Sequence, residues 1–192
     1  PRLAGKQVWL LMGSGNNGGD AACLARYLLD AGACPHVFHT RPLEHYRNET
    51  AYHLRTALTC GVPFLPVAAL TETPLPHPDI LVDGLLGTGF SGQLRDDARR
   101  LVSFVNELSP RPLILSLDVP SGLDATSGLP CPEAVKADMT VSFAAAKPGL
   151  MLPWARPYTG ECHVGPIAMP AKVREEGPCS FRLLDGHALT LL

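Results

Sequence analysis

Residues 7 to 20 read QVWLLMGSGNNGGD, an unbroken apolar run from Gln7 to Met12 that ends in a cluster of glycines. Six residues without polar alternation predict a strand buried on both faces. The next stretch, Asp20 to Ala31, is apolar nearly all round until Gly32 stops it, which predicts a helix packed between layers. Strand, glycine turn and buried helix together make the start of an α/β unit.

The same alternation continues along the chain. His36 to Thr40 and Val62 to Val67 are predicted as strands around a helix over Tyr46 to Thr59, whose Ala51, Leu54 and Leu58 share a face. Ile80 to Leu86, Pro112 to Leu117, Met139 to Ala144 and Glu161 to Ile167 supply further strands. Asp96 to Leu108 is an amphipathic helix with two acidic residues at its positive N-terminus, and Pro132 to Ala137 is predicted as a short helix. Strands apolar on both faces and separated by helices give a Rossmann-like α/β three-layer sandwich with a mostly parallel central sheet. Residues 1–171 form one domain in this reading, and 172–192 a C-terminal tail or linker.

Composition limits the function classes. With 192 residues the chain has room for one ordinary domain, and 46% hydrophobic against 18% charged residues argues against disorder. A net charge of −2 names neither nucleic acid nor an anionic membrane as partner. No run of about 18 apolar residues and no secretory leader appear, so a soluble, cytoplasmic protein is expected. The start at Pro1 without Met suggests a piece of a longer protein. Cys23, Cys34, Cys60, Cys131, Cys162 and Cys179 lack zinc-site spacing and are expected to be reduced. The 18 Gly and 19 Pro are well above the average share of about 12% and predict many sharply defined loops.

Ligands of open α/β sheets bind beyond the carboxyl ends of the strands, and four such ends here are rich in polar and flexible residues: 13–20, 83–89, 118–122 and 147–149. Gly13, Gly15 and Gly18 form GxGxxG at a strand-to-helix turn, where free N–H groups and the helix dipole suit a phosphate, although a tight turn uses glycine as well. Asp20 stands where a Walker A loop needs Lys, and His39-Thr40-Arg41 stands where a dehydrogenase usually has its ribose acid. Asn17, Asp83 and Ser121 bring three oxygens from three strand ends, suiting either a monovalent cation or ordinary turn capping. Asp118 and Lys147 each follow a buried run and form either an acid–base pair or a structural ion pair.

Four ordered motifs, GSGNNGGD (13–20), DGLLGTGFSG (83–92), SLDVPSGLDATSG (116–128) and VSFAAAKPG (141–149), resemble the NAD(P)H-hydrate epimerase family. The resemblance implies interconversion of the R and S forms of hydrated NADH and NADPH (NADHX and NADPHX), an isomerase step in cofactor repair. It further implies substrate contacts at Asn16, Asn17, Gly18, Gly19 and Asp20, at Gly87, Thr88, Gly89, Phe90, Ser91, Gly92 and Gln93, and at Asp118. Potassium (K+) on Asn17, Asp83 and Ser121, and catalysis by Asp118 and Lys147, follow from the same likeness. It leaves a homodimer open, and the tail resembles the link to a fused dehydratase half.

Two departures from the pattern stand out. Ala21 replaces a usual Gly and is expected to narrow the first loop, and the chain starts almost at its first strand, without the family's N-terminal helical segment. They motivate the alternative of an inactive nucleotide-binding module, with a conventional NADP-dependent reductase behind it.

Overall fold

The computed structural model describes residues 3–168, 170, 172 and 173, so the tail from 174 onward, with Cys179, lies outside the described residues. Seven parallel strands form the sheet: β1 Gln7–Met12, β2 Cys34–His39, β3 Phe64–Pro66, β4 Ile80–Gly84, β5 Leu113–Leu117, β6 Met139–Phe143 and β7 Glu161–Gly165. The helices are α1 Asn16–Asp30, α2 Asn48–Thr59, α3 Ala69–Glu72, α4 Asp96–Glu107 and α5 Arg156–Thr159. This is the α/β Rossmann-like architecture expected, with every strand pair parallel.

Strand order is β3-β2-β1-β4-β5-β6-β7. The chain winds outward from β1 to β3, crosses back, and winds outward again from β4 to β7, which puts the topological switch between β1 and β4. Side chains of β1 alternate between two cores. Val8, Leu10 and Met12 pack with Ala21, Ala22, Ala25 and Leu54 of α1 and α2, and Trp9 and Leu11 pack with Leu81, Val102, Val105 and Ile114 on the α4 side. Burial on both faces is why the strand sequence shows no polar alternation. On the α1 side, α1 packs across β1, β2, β4 and the near edge of β5. An apolar groove of about 310 Å³ stays open there, between Cys23, Leu24 and Tyr27 of α1 and the faces of Leu115, Leu117, Val141 and Phe143.

Three local readings needed correction. The first helix begins at Asn16 rather than Asp20, because Gly18 comes close enough to Gly13 for helical backbone to start inside the glycine cluster. Pro132 to Ala137 is not a helix: the N–H groups of Val135, Lys136 and Ala137 donate to Ser121 O, Asn106 Oδ1 and Tyr158 O, and these long-range partners replace a helical ladder. Ala21 does not narrow a ligand loop. It is fully buried, and its methyl sits over Gly84, where an added Cβ would lie 2.7 Å from it.

Cys23, Cys34, Cys60, Cys131 and Cys162 are free thiols. Among the described residues, no helix is long and apolar enough to cross a membrane.

Candidate active site

Parallel register brings the ends of β1, β4 and β5 level: Leu11 pairs with Asp83, and Asp83 with Ser116. Just beyond them the chain turns into α1, the 85–95 loop and the 118–122 turn. Asn17 reaches from the first turn of α1 and donates both amide hydrogens, to Leu86 O (2.6 Å) and Leu117 O (3.0 Å). A single buried amide thus ties three strand ends together. Its Oδ1 is buried and has no hydrogen-bond partner, which is rare enough to need an explanation.

Asp83 is fully buried. Burial pushes its carboxyl above the ordinary range, opposed by hydrogen bonds from Ser121, Ser116 and Leu85 N. Oδ1 accepts from Ser121 Oγ (2.5 Å) and Leu85 N (3.3 Å), and Oδ2 from Ser121 N (2.8 Å) and Ser116 Oγ (2.9 Å). All four donors are neutral, so a buried carboxylate here has no counter-charge. Ser121 Oγ also accepts from Leu86 N (2.9 Å), which links Asp83 to the loop that holds Asn17. A buried unpartnered amide oxygen, an uncompensated carboxylate and a hydroxyl oxygen are thus tied to the same Leu86 backbone, and as a donor set they fit a hard cation such as potassium.

Asp118 adopts left-handed backbone at φ 64°, which is uncommon outside glycine and is held most readily by Asp and Asn. Its Oδ1 accepts from Lys147 Nζ (2.5 Å) and Phe143 N (3.3 Å), and its Oδ2 from Thr88 N (3.2 Å). Burial alone would raise this carboxyl, but the Lys147 hydrogen bond, the Thr88 N–H, the Lys147 charge and the Phe143 N–H outweigh it and hold it below the ordinary value. Lys147 also donates to Phe143 O (2.7 Å), and both side chains of the pair are largely enclosed, at 17% and 13% exposure.

The candidate substrate residues surround this pair. An added Cβ on Gly87 would lie 3.2 Å from Asp118 Oδ2 and 3.3 Å from Asn17 Cβ, so any side chain there would press on both. Asn17, Gly18 and Gly19 are buried, Asp20 is half-buried, and Asn16, Thr88, Gly89, Ser91, Gly92 and Gln93 are exposed along the rim. Phe90 differs from its loop neighbours, because its side chain packs against the α4-side core.

Sequence reading missed several supporting residues. Ser116 donates to Asp83 as its register partner, and Thr50 of α2 donates to Gly15 O (3.2 Å) and holds the start of α1. His53 on α2 acts electrostatically on Asp20. Period-two spacing from Asp118 could have exposed Ser116, whereas the α2 residues needed the tertiary fold.

Residues 2–149 match the family described as YjeF-related protein N-terminus. The NAD(P)H-hydrate epimerase of Pirellula staleyi is 34% identical over 176 residues, covering 89% of this chain and 77% of that protein. A bifunctional NAD(P)H-hydrate repair enzyme of Leishmania braziliensis is 39% identical over 165 residues, and there the match covers 83% of this chain but 28% of the longer protein. The crystal structure of yeast ynu0 superposes with a TM-score of 0.73 at 26% identity, over 95% of this chain and 75% of that one.

Proposed function

The chain belongs to the YjeF-related protein N-terminus family, and on that premise we propose that it is an NAD(P)H-hydrate epimerase, an isomerase that interconverts the R and S forms of hydrated NADH and NADPH. The observation that carries this reading is the enclosed Asp118–Lys147 pair beside the glycine-lined start of α1 at the β1/β4 switch. The N-terminus of α1 and the open backbones of Gly15 and Gly89 offer a surface for a pyrophosphate. The motif likeness assigns the enclosed Asp118–Lys147 pair to the end of the site that receives the hydrated ring. Epimerisation at one carbon is redox-neutral, so the side chains of the site need only hold and orient the ring and move protons.

Asn17, Asp83 and Ser121 would hold a potassium ion, which when bound supplies positive charge that compensates Asp83 and orders the 85–95 loop. Ala21, one motive for an inactive binding module, lies in the core, which leaves the epimerase the better-supported reading. A dimer and a dehydratase half in a longer parent chain belong to the same proposal and rest on the family likeness.

Chromatography of the separated hydrates tests it: purified protein with potassium speeds R-to-S interconversion of NADPHX well above the spontaneous rate. An unchanged rate at high protein concentration refutes the assignment. Exchanging potassium for lithium lowers the rate at least about fivefold, the scale of a modest coupling between a cation and a substrate site. Insensitivity to that exchange removes potassium from the proposal and leaves the rest standing.

A further inference from the structure

Asp118 is poorly placed to exchange protons with a ligand. Its Oδ1 is held by Lys147 and Phe143 N and its Oδ2 accepts from Thr88 N, and all three stabilise its charge, which disfavours taking up a proton. A second carboxylate faces the same space. Asp20, one turn into α1, is half-buried and interacts electrostatically with Asp118. It also lines the groove beside Leu117 and Phe143, the residues that lead into Asp118 and hold Lys147. Its carboxylate accepts no hydrogen bond from any described residue. Of the two acids, Asp118 holds three donors including an ammonium, and Asp20 lines the groove and accepts from no described residue.

From this geometry we infer that Asp20 is the group that carries the proton to and from the substrate hydroxyl, while Asp118 fixes Lys147. The inference rests on the epimerase reading and goes beyond a binding role for Asp20. In the step it supports, the Asp20 carboxyl gives its proton to the ring hydroxyl. The C–O bond breaks with both electrons on oxygen, water leaves, and the ring nitrogen lone pair closes a C=N bond. The planar ring then turns its other face to Asp20 and water adds there: its electron pair forms the new C–O bond, the C=N electrons return to nitrogen, and the proton the water loses restores the Asp20 carboxyl. Nothing is oxidised or reduced.

The environments of the two acids agree with this division. Burial pushes the Asp20 carboxyl up, the Asp118 charge adds to that, and His53 partly opposes it, whereas Asp118 is held down. Neighbouring acids driven apart in this way sort themselves into a proton carrier and a permanent anion. The titratable and charged groups around Asp20 are Asp118 with its Lys147 at the sheet edge, His53 on α2, and Cys23 and Arg26 further along α1, where Arg26 is bonded to His53 and Cys23.

The test compares Asp20→Asn and Asp20→Glu with the native chain in the NADPHX interconversion assay. For Asp20→Asn we expect kcat to fall about 100-fold or more with KM within a few-fold, and the limb of the pH–rate profile that reports Asp20 to vanish. Asp20→Glu restores part of kcat together with a shifted limb. Removing a desolvated charge that faces Asp118 should leave the melting temperature of Asp20→Asn at or above native, which separates lost chemistry from lost folding. If Asp20→Asn keeps kcat within threefold, or loses only KM, the assignment of Asp20 is overturned and the epimerase reading stands. A native chain that fails to interconvert the hydrates overturns that reading, and this inference with it.

Discussion

Asp118→Asn is expected to lower hydrate interconversion by about 10²–10⁴-fold, the range for loss of a group that positions acid–base chemistry. Asn suits this test because it is among the few residues that accept left-handed backbone, so φ 64° at this position survives the change. Its amide keeps the volume and can still accept from Thr88 N or Phe143 N, but it offers no charge to Lys147. Lys147 is only 17% exposed and cannot swing into bulk water without leaving Phe143 O. The cost therefore falls on the ammonium, left enclosed without its counter-ion. Lys147→Met should be nearly as damaging, and the double variant no worse than the poorer single one, because each change removes the same paired unit. Additive losses would show two independent groups.

Stability should follow the same charge. Asp118 has a folded pKa below its unfolded value near 4. Its contribution is therefore present above that value and is lost as pH falls through the folded pKa. Asp118→Asn should flatten that part of the acid limb in urea unfolding at successive pH values, and an unchanged acid limb would mean that the pair adds nothing to the fold.

Much of this protein could be read from its sequence because its strands are buried on both faces. Apolar runs such as QVWLLM and PLILSL mark a parallel sheet directly, and β1 was located to the residue. The strand ends followed, and with them Asn17, Asp83, Asp118 and Lys147, since a polar residue after a buried run has few places to go. Segments whose backbone bonds go to distant partners were not legible. Pro132 to Ala137 looks helical on local grounds, yet its N–H groups serve the 121, 106 and 158 regions. The contrast between Asp20 and Asp118 was equally hidden. Both are motif acids in the sequence, and only the fold shows that one is bound to an ammonium and two N–H groups while the other accepts from no described residue.

The same distinction divides the GxGxxG motif, whose three glycines look equivalent in sequence. An added Cβ on Gly18 would stand 1.9 Å from Gly13 O, a backbone atom that cannot turn aside, whereas around Gly15 nothing lies within 4 Å. Gly18→Ala must therefore push α1 off the end of β1. The helix is held there by Ala21, Ala22 and Ala25 in the core and by Asn17 bonded to Leu86 and Leu117. Packing and buried hydrogen bonds are lost together, so a destabilisation of about 2–4 kcal/mol is expected in denaturant unfolding. Turnover should fall further than stability, because the displaced turn carries Asn17 and Asp20. Gly15 precedes α1 at φ −94° and ψ −171°, backbone open to any residue, so Gly15→Ala should unfold within about 0.5 kcal/mol of native. If Gly15→Ala loses activity while keeping its stability, the open space at Gly15 is where the ligand backbone passes. Equal damage from both substitutions would contradict the close contact between α1 and β1 on which the site is built.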